Sequence, residues 1–156
     1  FHPLSYWFIQ KTNLTLWQYK LLGKSKWLVQ YMLQEYLIGS KRKITNKMLG
    51  EVQKACQEES CGKAMQDFQR SSCDKKRAIP CYVQELHKLK MPVIFIHGEK
   101  DPLVPVSDIF KVVNLCPNGK VHVMRGCKHW PVRERPEEVT MIILENTDER
   151  QAEENG

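Results

Sequence analysis

Residues 93–96, Val-Ile-Phe-Ile, form a continuous and partly β-branched apolar run that stops at Gly98 and gives way to Glu99, Lys100, Asp101 and two prolines, Pro102 and Pro105. A run without polar alternation suits a strand covered on both faces. Ser107 is placed to cap a helix carrying Ile109, Phe110, Val112 and Val113. Pro117-Asn118-Gly119 is a turn, and residues 120–124 alternate as a second strand. Pro136 suits the first position of another helix, with Glu137 and Glu138 in its first turn and Val139, Ile142 and Ile143 on its inner face. Strand, helix, strand, helix predicts a βαβα unit with two parallel strands and a right-handed crossover.

Upstream the texture is helical. Leu28, Tyr31, Met32, Glu35 and Tyr36 mark one helix by their spacing. Ile44, Met48, Val52 and Cys56 mark a second, started by Thr45 or Asn46. Ala64, Met65 and Phe68 fit a third, and Val83, Leu86 and Leu89 a short fourth after Pro80. Three regions follow: a helical part over 1–78, a strand-and-helix part over 79–146, and a polar tail over 147–156 that is expected to fray.

Charge and cysteine content narrow the function classes. The net charge is +6, with sixteen Lys/Arg against seven Asp/Glu in residues 1–90 and eight against eleven in 91–156. The basic runs 41–43 and 75–77 sit at helix ends, where cations suit the macrodipole. No aromatic-plus-basic strand pattern is present, so no nucleic-acid partner is expected. No apolar run approaches the roughly 18 residues of a membrane span. The six cysteines (Cys56, Cys61, Cys73, Cys81, Cys116, Cys127) include no pair at the two-residue spacing of a zinc site. They read as mostly reduced thiols of a cytoplasmic protein, with no metal and no cofactor.

In an open parallel sheet, chemistry gathers past the carboxyl ends of the strands. One such loop holds Asp101 and the next holds His129. Neighbouring parallel strands lie about 4.8 Å apart, so a carboxylate on one loop can reach an imidazole on the other. That pairing fixes the imidazole tautomer and leaves its other nitrogen free to take a proton from a nucleophile. Glu134 is expected to brace its loop or pair with Arg133 or Arg135, His122 to point off its alternating strand without a chemical role, and His87 to lie on the surface of its helix. Aromatic residues crowd the first part of the chain: Trp7, Phe8, Trp17, Trp27, Tyr31 and Tyr36. Such a stripe packs a core or lines an apolar pocket.

The pieces "MPVIFIHGEKDPLVPV" and "GCKHWPVRERPEEV" together resemble the C-terminal portion of the α/β-hydrolase fold superfamily. The resemblance covers roughly residues 80–145 and implies a partial α/β-hydrolase fold, with residues 1–78 as the helical cap. It implies Asp101 as the triad acid and His129 as the triad base of an acyl or ester hydrolase. Trp130, beside that histidine, and the cap residues Trp7, Trp17 and Trp27 would contact a small apolar, acyl or aromatic ester substrate. Lys128 replaces the glycine often found before the histidine and would put a cation beside the imidazole.

The same resemblance exposes a gap. The family's nucleophile elbow, G-x-S-x-G, is absent. The nearest string, "EESCG" at 58–62, has Glu58 where a glycine is needed, so Ser60 is not expected to be the nucleophile. His97-Gly98 belongs to a late strand and reads as structural rather than as an oxyanion loop. The resemblance implies a chain that starts after the elbow and is inactive alone. The unlike alternatives are a non-catalytic module that binds a protein partner through its aromatic helices, and a basic helical domain that touches anionic surfaces.

Overall fold

The structure is a computed structural model that describes residues 10–72 and 82–154, with side chains described for 10–71 and 82–147. The chain falls into two compact units. One takes the residues up to Met32 together with Ile44–Gln84, and the other takes Leu33–Lys43 with the chain from Glu85 onward. Residues 33–43, grouped with the helices in the sequence reading, therefore belong with the strands.

The first unit is helical: α1 (Leu14–Lys24), α2 (Lys26–Met32), α3 (Asn46–Gln57) and α4 (Glu59–Ser72). Helix α3 starts where the sequence places it. Thr45 is its N-cap, and its side chain accepts from the Met48 N–H at 3.1 Å, which satisfies one of the unpaired donors of the first turn. In the last turn of α1, the Gly23 carbonyl accepts from the Gln53 and Gln57 side chains at 3.2 and 2.9 Å. A side chain at Gly23 would press on the Cys56 backbone at 3.2 Å, so the glycine lets α1 and α3 approach.

Two buried faces differ from the periodicity reading. Along 28–37 the buried residues are Val29, Leu33 and Leu37, whereas Tyr31 and Tyr36 are exposed. A π turn at Leu33–Leu37 changes the residues per turn there, so a regular 3.6 count loses phase. In α4 the packed positions are Gly62 and Gln66, and Met65 and Phe68 face outward. Polar pairing fixes that face: the Thr15 hydroxyl donates to Gln69 at 2.5 Å, and Arg70 donates to the Thr12 carbonyl at 3.1 Å.

The second unit carries β1 (Val93–Gly98), α5 (Val106–Val113), β2 (Gly119–Met124), α6 (Pro131–Glu134) and α7 (Pro136–Glu154), with a single turn of 3-10 helix at Lys41–Lys43, and a longer 3-10 segment, Tyr82–Lys88, runs from the first unit into it. The expected βαβα order is present. Strands β1 and β2 pair in parallel, from Val93 opposite Gly119 to Gly98 opposite Met124. Met124, Cys127 and Val139 form the buried centre, with Ile96 packed on it. Fully burying a side chain of this size is worth about 1.5–3 kcal/mol.

Three local expectations change. Helix α5 starts at Val106 with Pro105 as its cap, not at Ser107, because the proline fixes φ at −59° and its carbonyl accepts the first helical N–H, that of Asp108, at 2.9 Å. In α7, Val139 is buried but Ile143 is exposed. The residues expected to fray continue α7 to Glu154, as Glu, Arg, Gln and Ala favour helix intrinsically. No described helix is long and apolar enough to cross a membrane.

Candidate active site

Strand β1 leaves the sheet at Gly98, in contact with the loop that follows β2. A Cβ at Gly98 would lie 2.0 Å from the Lys128 carbonyl oxygen and 2.7 Å from that of Cys127. Only glycine admits this approach. Three hydrogen bonds lock the two loops together. The Glu99 N–H donates to Met124 at 3.0 Å, the Lys100 N–H donates to Cys127 at 2.8 Å, and the Gly126 N–H donates to the Glu99 carboxylate at 2.8 Å. Gly126 has φ of +76°, a left-handed conformation that turns the chain toward the second loop.

Asp101 follows directly. Its Oδ1 accepts from the N–H groups of Leu103 and Val104 at 2.8 and 3.0 Å, an Asx-type turn that fixes the carboxylate. Its Oδ2 lies 2.8 Å from Nδ1 of His129. An ionised carboxylate only accepts, so Nδ1 carries the proton, and in the neutral imidazole the lone pair is then on Nε2. Burial pushes the Asp101 carboxyl up, but the Val104 N–H, the His129 imidazole and the Leu103 N–H outweigh it and hold the group below its ordinary value. The Asp101 side chain is 2% exposed and that of His129 is 35% exposed. The result is a buried anion orienting a partly accessible base.

His97 closes the other side of the carboxylate. Its Nε2 lies 2.9 Å from the Val104 carbonyl and 3.6 Å from Asp101 Oδ2. Ile96, Val104, Ile109, Trp130, Pro131 and Val132 wall an open cavity of about 390 Å³ on which Asp101 and His129 also lie. The Arg133 guanidinium sits 5.9 Å from the centroid of the Trp130 ring, within cation–π range.

Lys128 and Glu134 flank this site. The Lys128 ammonium donates to the carbonyls of Gln34 and Glu35 at 2.5 and 2.9 Å. Glu134 is 2% exposed and accepts from the N–H groups of Gly39 and Ser40 at 2.7 and 2.8 Å. Burial, followed by the neighbouring Glu134 charge, pushes the Cys127 thiol up to about 11. No group of three or more His, Cys, Asp or Glu among the described residues is placed to hold a metal ion, and the described cysteines Cys56, Cys61, Cys116 and Cys127 are free thiols.

The fold brings together Asp101, His129 and Trp130. Trp17 and Trp27 lie in the helical unit, 61% and 68% exposed, and Trp27 stacks on Tyr31 at 5.9 Å. Trp7, Phe8, Cys73, Cys81 and the basic run 75–77 lie outside the described residues. Ser60 is exposed in the first turn of α4. His122 sits on β2, its Nε2 3.3 Å from the Asn146 amide. Sequence reasoning missed the part played by residues 33–43. Their one usable signal was Gly39, where a Cβ would meet the Gly126 carbonyl at 2.0 Å.

No family model matches the chain. A 2-hydroxy-6-oxononadienedioate/2-hydroxy-6-oxononatrienedioate hydrolase of Burkholderia vietnamiensis is 30% identical over 81 residues, which are 52% of this chain and 28% of the relative. A serine hydrolase involved in carbazole degradation superposes with a TM-score of 0.67 at 20% identity, over 78% of this chain and 46% of its own. A membrane phospholipase A described as a bacterial virulence factor superposes with a TM-score of 0.64 at 23% identity, over 82% of this chain and 39% of its own. The chain spans less than half the length of each of these proteins.

Proposed function

The chain is related to the α/β-hydrolase superfamily and carries part of its fold, and on that premise we propose that Asp101 and His129 are the acid and base of a serine hydrolase whose nucleophile lies outside these 156 residues. The observation that carries this reading is the 2.8 Å contact between His129 Nδ1 and Asp101 Oδ2, made by two loops at the carboxyl ends of adjacent parallel strands. In the proposed reaction, Nε2 of His129 takes the serine hydroxyl proton as the oxygen attacks the substrate carbonyl. The imidazolium returns that proton to the departing group. A water then repeats the cycle in reverse order of roles: it loses its proton to Nε2, attacks the acyl-enzyme, and the serine recovers a proton. Asp101 holds the tautomer and offsets the imidazolium charge throughout.

The helical unit is read as the cap. The wall of Ile96, Val104, Ile109 and Trp130 suits a small apolar, acyl or aromatic ester. The relative named as a 2-hydroxy-6-oxononadienedioate/2-hydroxy-6-oxononatrienedioate hydrolase and the serine hydrolase involved in carbazole degradation support small organic substrates. The 156-residue chain alone is expected to be inactive, having the base but not the group it activates.

A second reading has one observation in its favour. Trp17, Trp27, Tyr31 and Phe68 are all at least half exposed, as a surface that binds a protein partner would be. A fluorophosphonate probe separates the two. The longer parent protein should be labelled, and its His129→Ala variant should lose about 10⁴- to 10⁶-fold in kcat. A parent that takes no label, or an unchanged turnover after His129→Ala, overturns the enzyme reading and leaves the binding module.

A further inference from the structure

His129 is held in place by more than Asp101. The residues on either side of it are both tied to the same stretch of chain. Lys128 donates through its ammonium to the carbonyls of Gln34 and Glu35 at 2.5 and 2.9 Å. Trp130 donates its N–H to the Leu37 carbonyl at 2.9 Å. Five residues beyond His129, both oxygens of the buried Glu134 are taken by the N–H groups of Gly39 and Ser40 at 2.7 and 2.8 Å. The contacts advance together, from 34 to 40 on one side and from 128 to 134 on the other. The stretch follows the whole histidine loop.

We infer that residues 33–43 are a strap that sets the position of His129, and that Lys128 and Glu134 are the positioning residues that fasten it, a role that rests on the reading of His129 as the base. The chemistry of the two fasteners is complementary. The helix ends at Leu37, which leaves carbonyls of its last turn without intrahelical donors, and an ammonium, with three N–H groups, satisfies two of them at once. Two successive N–H groups make a small anion-binding concavity, and a carboxylate fills it with both oxygens. Gly39 makes the fit possible, since a Cβ there would lie 2.0 Å from the Gly126 carbonyl and 3.2 Å from a Glu134 oxygen.

The bonds within the loop alone do not define its height over β1. Asp101 constrains one imidazole nitrogen, but the backbone that carries the ring is fixed by contacts to β1 on one side and to the strap on the other. Release of the strap frees one of those sides. A displacement of about 1 Å at a catalytic group costs on the order of 100-fold in rate, so small slack in the strap has a large effect on transfer to Nε2.

The test reads His129 directly. In the ¹⁵N-labelled 156-residue chain, the proton on Nδ1 of His129 should give a downfield resonance, protected from exchange by Asp101. Lys128→Met keeps the stem and removes the ammonium. Glu134→Gln turns one acceptor into a donor that faces an N–H. Both should broaden the Nδ1 resonance or speed its exchange at least tenfold, while the amide resonances of β1 and β2 keep their wild-type positions. Lys128→Arg, which keeps a cation and its donors, should restore the signal. In the longer parent, the same two variants should lower kcat by about 10- to 100-fold with KM within twofold.

An Nδ1 resonance and exchange rate unchanged in Lys128→Met overturns the strap, whether or not Glu134→Gln folds. Loss of the β1 and β2 amide pattern together with the Nδ1 signal in both variants, with no recovery in Lys128→Arg, also overturns it and reduces both residues to general fold stability. A parent that resists fluorophosphonate while the Nδ1 signal responds defeats the triad reading and leaves the strap intact. A labelled parent with an unresponsive Nδ1 signal defeats the strap alone.

Discussion

The two units bury different kinds of group. The strand unit hides two carboxylates, Asp101 at 8% and Glu134 at 2% exposure, and meets their oxygens with backbone N–H groups and an imidazole. The helical unit hides the uncharged Thr15 and Gln66 and leaves Trp17, Trp27 and Phe68 turned outward. Burying a charge is costly unless it is fully paired. The strand unit bears that cost at two loops, and the loops become rigid in return. Among its described residues the helical unit buries no carboxylate, and its contacts are helix packing and polar side-chain pairing. Variants that act on the loops should therefore be severe and specific, and variants in the helices mild.

The largest expected effect is on Asp101. Asp101→Asn keeps the shape and can still accept from Leu103 and Val104 through its amide oxygen. It puts an NH₂ group where Oδ2 faces His129. The NH₂ donates, so the imidazole must move its proton to Nε2, and the base loses its lone pair. In the longer parent, kcat should fall by about 10⁴-fold with the fold retained. A fall of less than tenfold would show that the buried anion is a brace and would erase the contrast between the units.

Next comes Gly98→Ala. The new Cβ would lie 2.0 Å from one carbonyl oxygen and 2.7 Å from another, both backbone atoms with no freedom to move aside. The loops must separate, which also parts Asp101 from His129. A loss of about 3 kcal/mol or more is expected, read as a shift of the urea midpoint. A near-neutral result would mean that the two strand ends are looser than their hydrogen bonds indicate.

The βαβα order and the meeting of Asp101 with His129 were legible because apolar runs, turn residues and a carboxylate past a strand end are local signals with strong geometry. The face of α4 was not, because hydrophobicity pointed to Met65 and Phe68 while pairing among Thr15, Gln69, Arg70 and Thr12 decided the packing. The strap was not legible either. Its bonds to Lys128 and Glu134 span more than ninety residues and use backbone groups that every residue has. The expected cation beside His129 was wrong in aim for that reason: the Lys128 ammonium is directed at the carbonyls of Gln34 and Glu35.

A smaller effect of Asp101 is expected in acid. Its folded value is held below the ordinary 3.8 of an aspartate, against the upward push of burial, by the N–H groups of Val104 and Leu103 and the His129 imidazole. The ionised form is therefore favoured by folding. Its stabilising contribution is fully present above about pH 4 and is lost as pH falls through the lower folded value. The urea midpoint of the wild type should approach that of Asp101→Asn below about pH 4 and keep a constant lead above it. A lead that persists unchanged in strong acid would mean that the carboxylate charge adds nothing to folding.

The mildest change lies in the helical unit and gives the comparison its control. Gly50 is exposed in the middle of α3, and a Cβ built there meets nothing within 4 Å. Its φ is not in the left-handed region, so alanine fits without strain. A helical glycine costs about 0.5–1 kcal/mol relative to alanine, because the unfolded chain loses more freedom on ordering it. Gly50→Ala should therefore stabilise the protein by that amount, which for a chain of this length raises Tm by about 2–4 °C per kcal/mol. The same substitution at Gly98 destabilises, so identical chemistry changes sign between the units. If Gly50→Ala were destabilising as well, α3 would have a neighbour on that face, and the helical unit could not be described as lightly packed there.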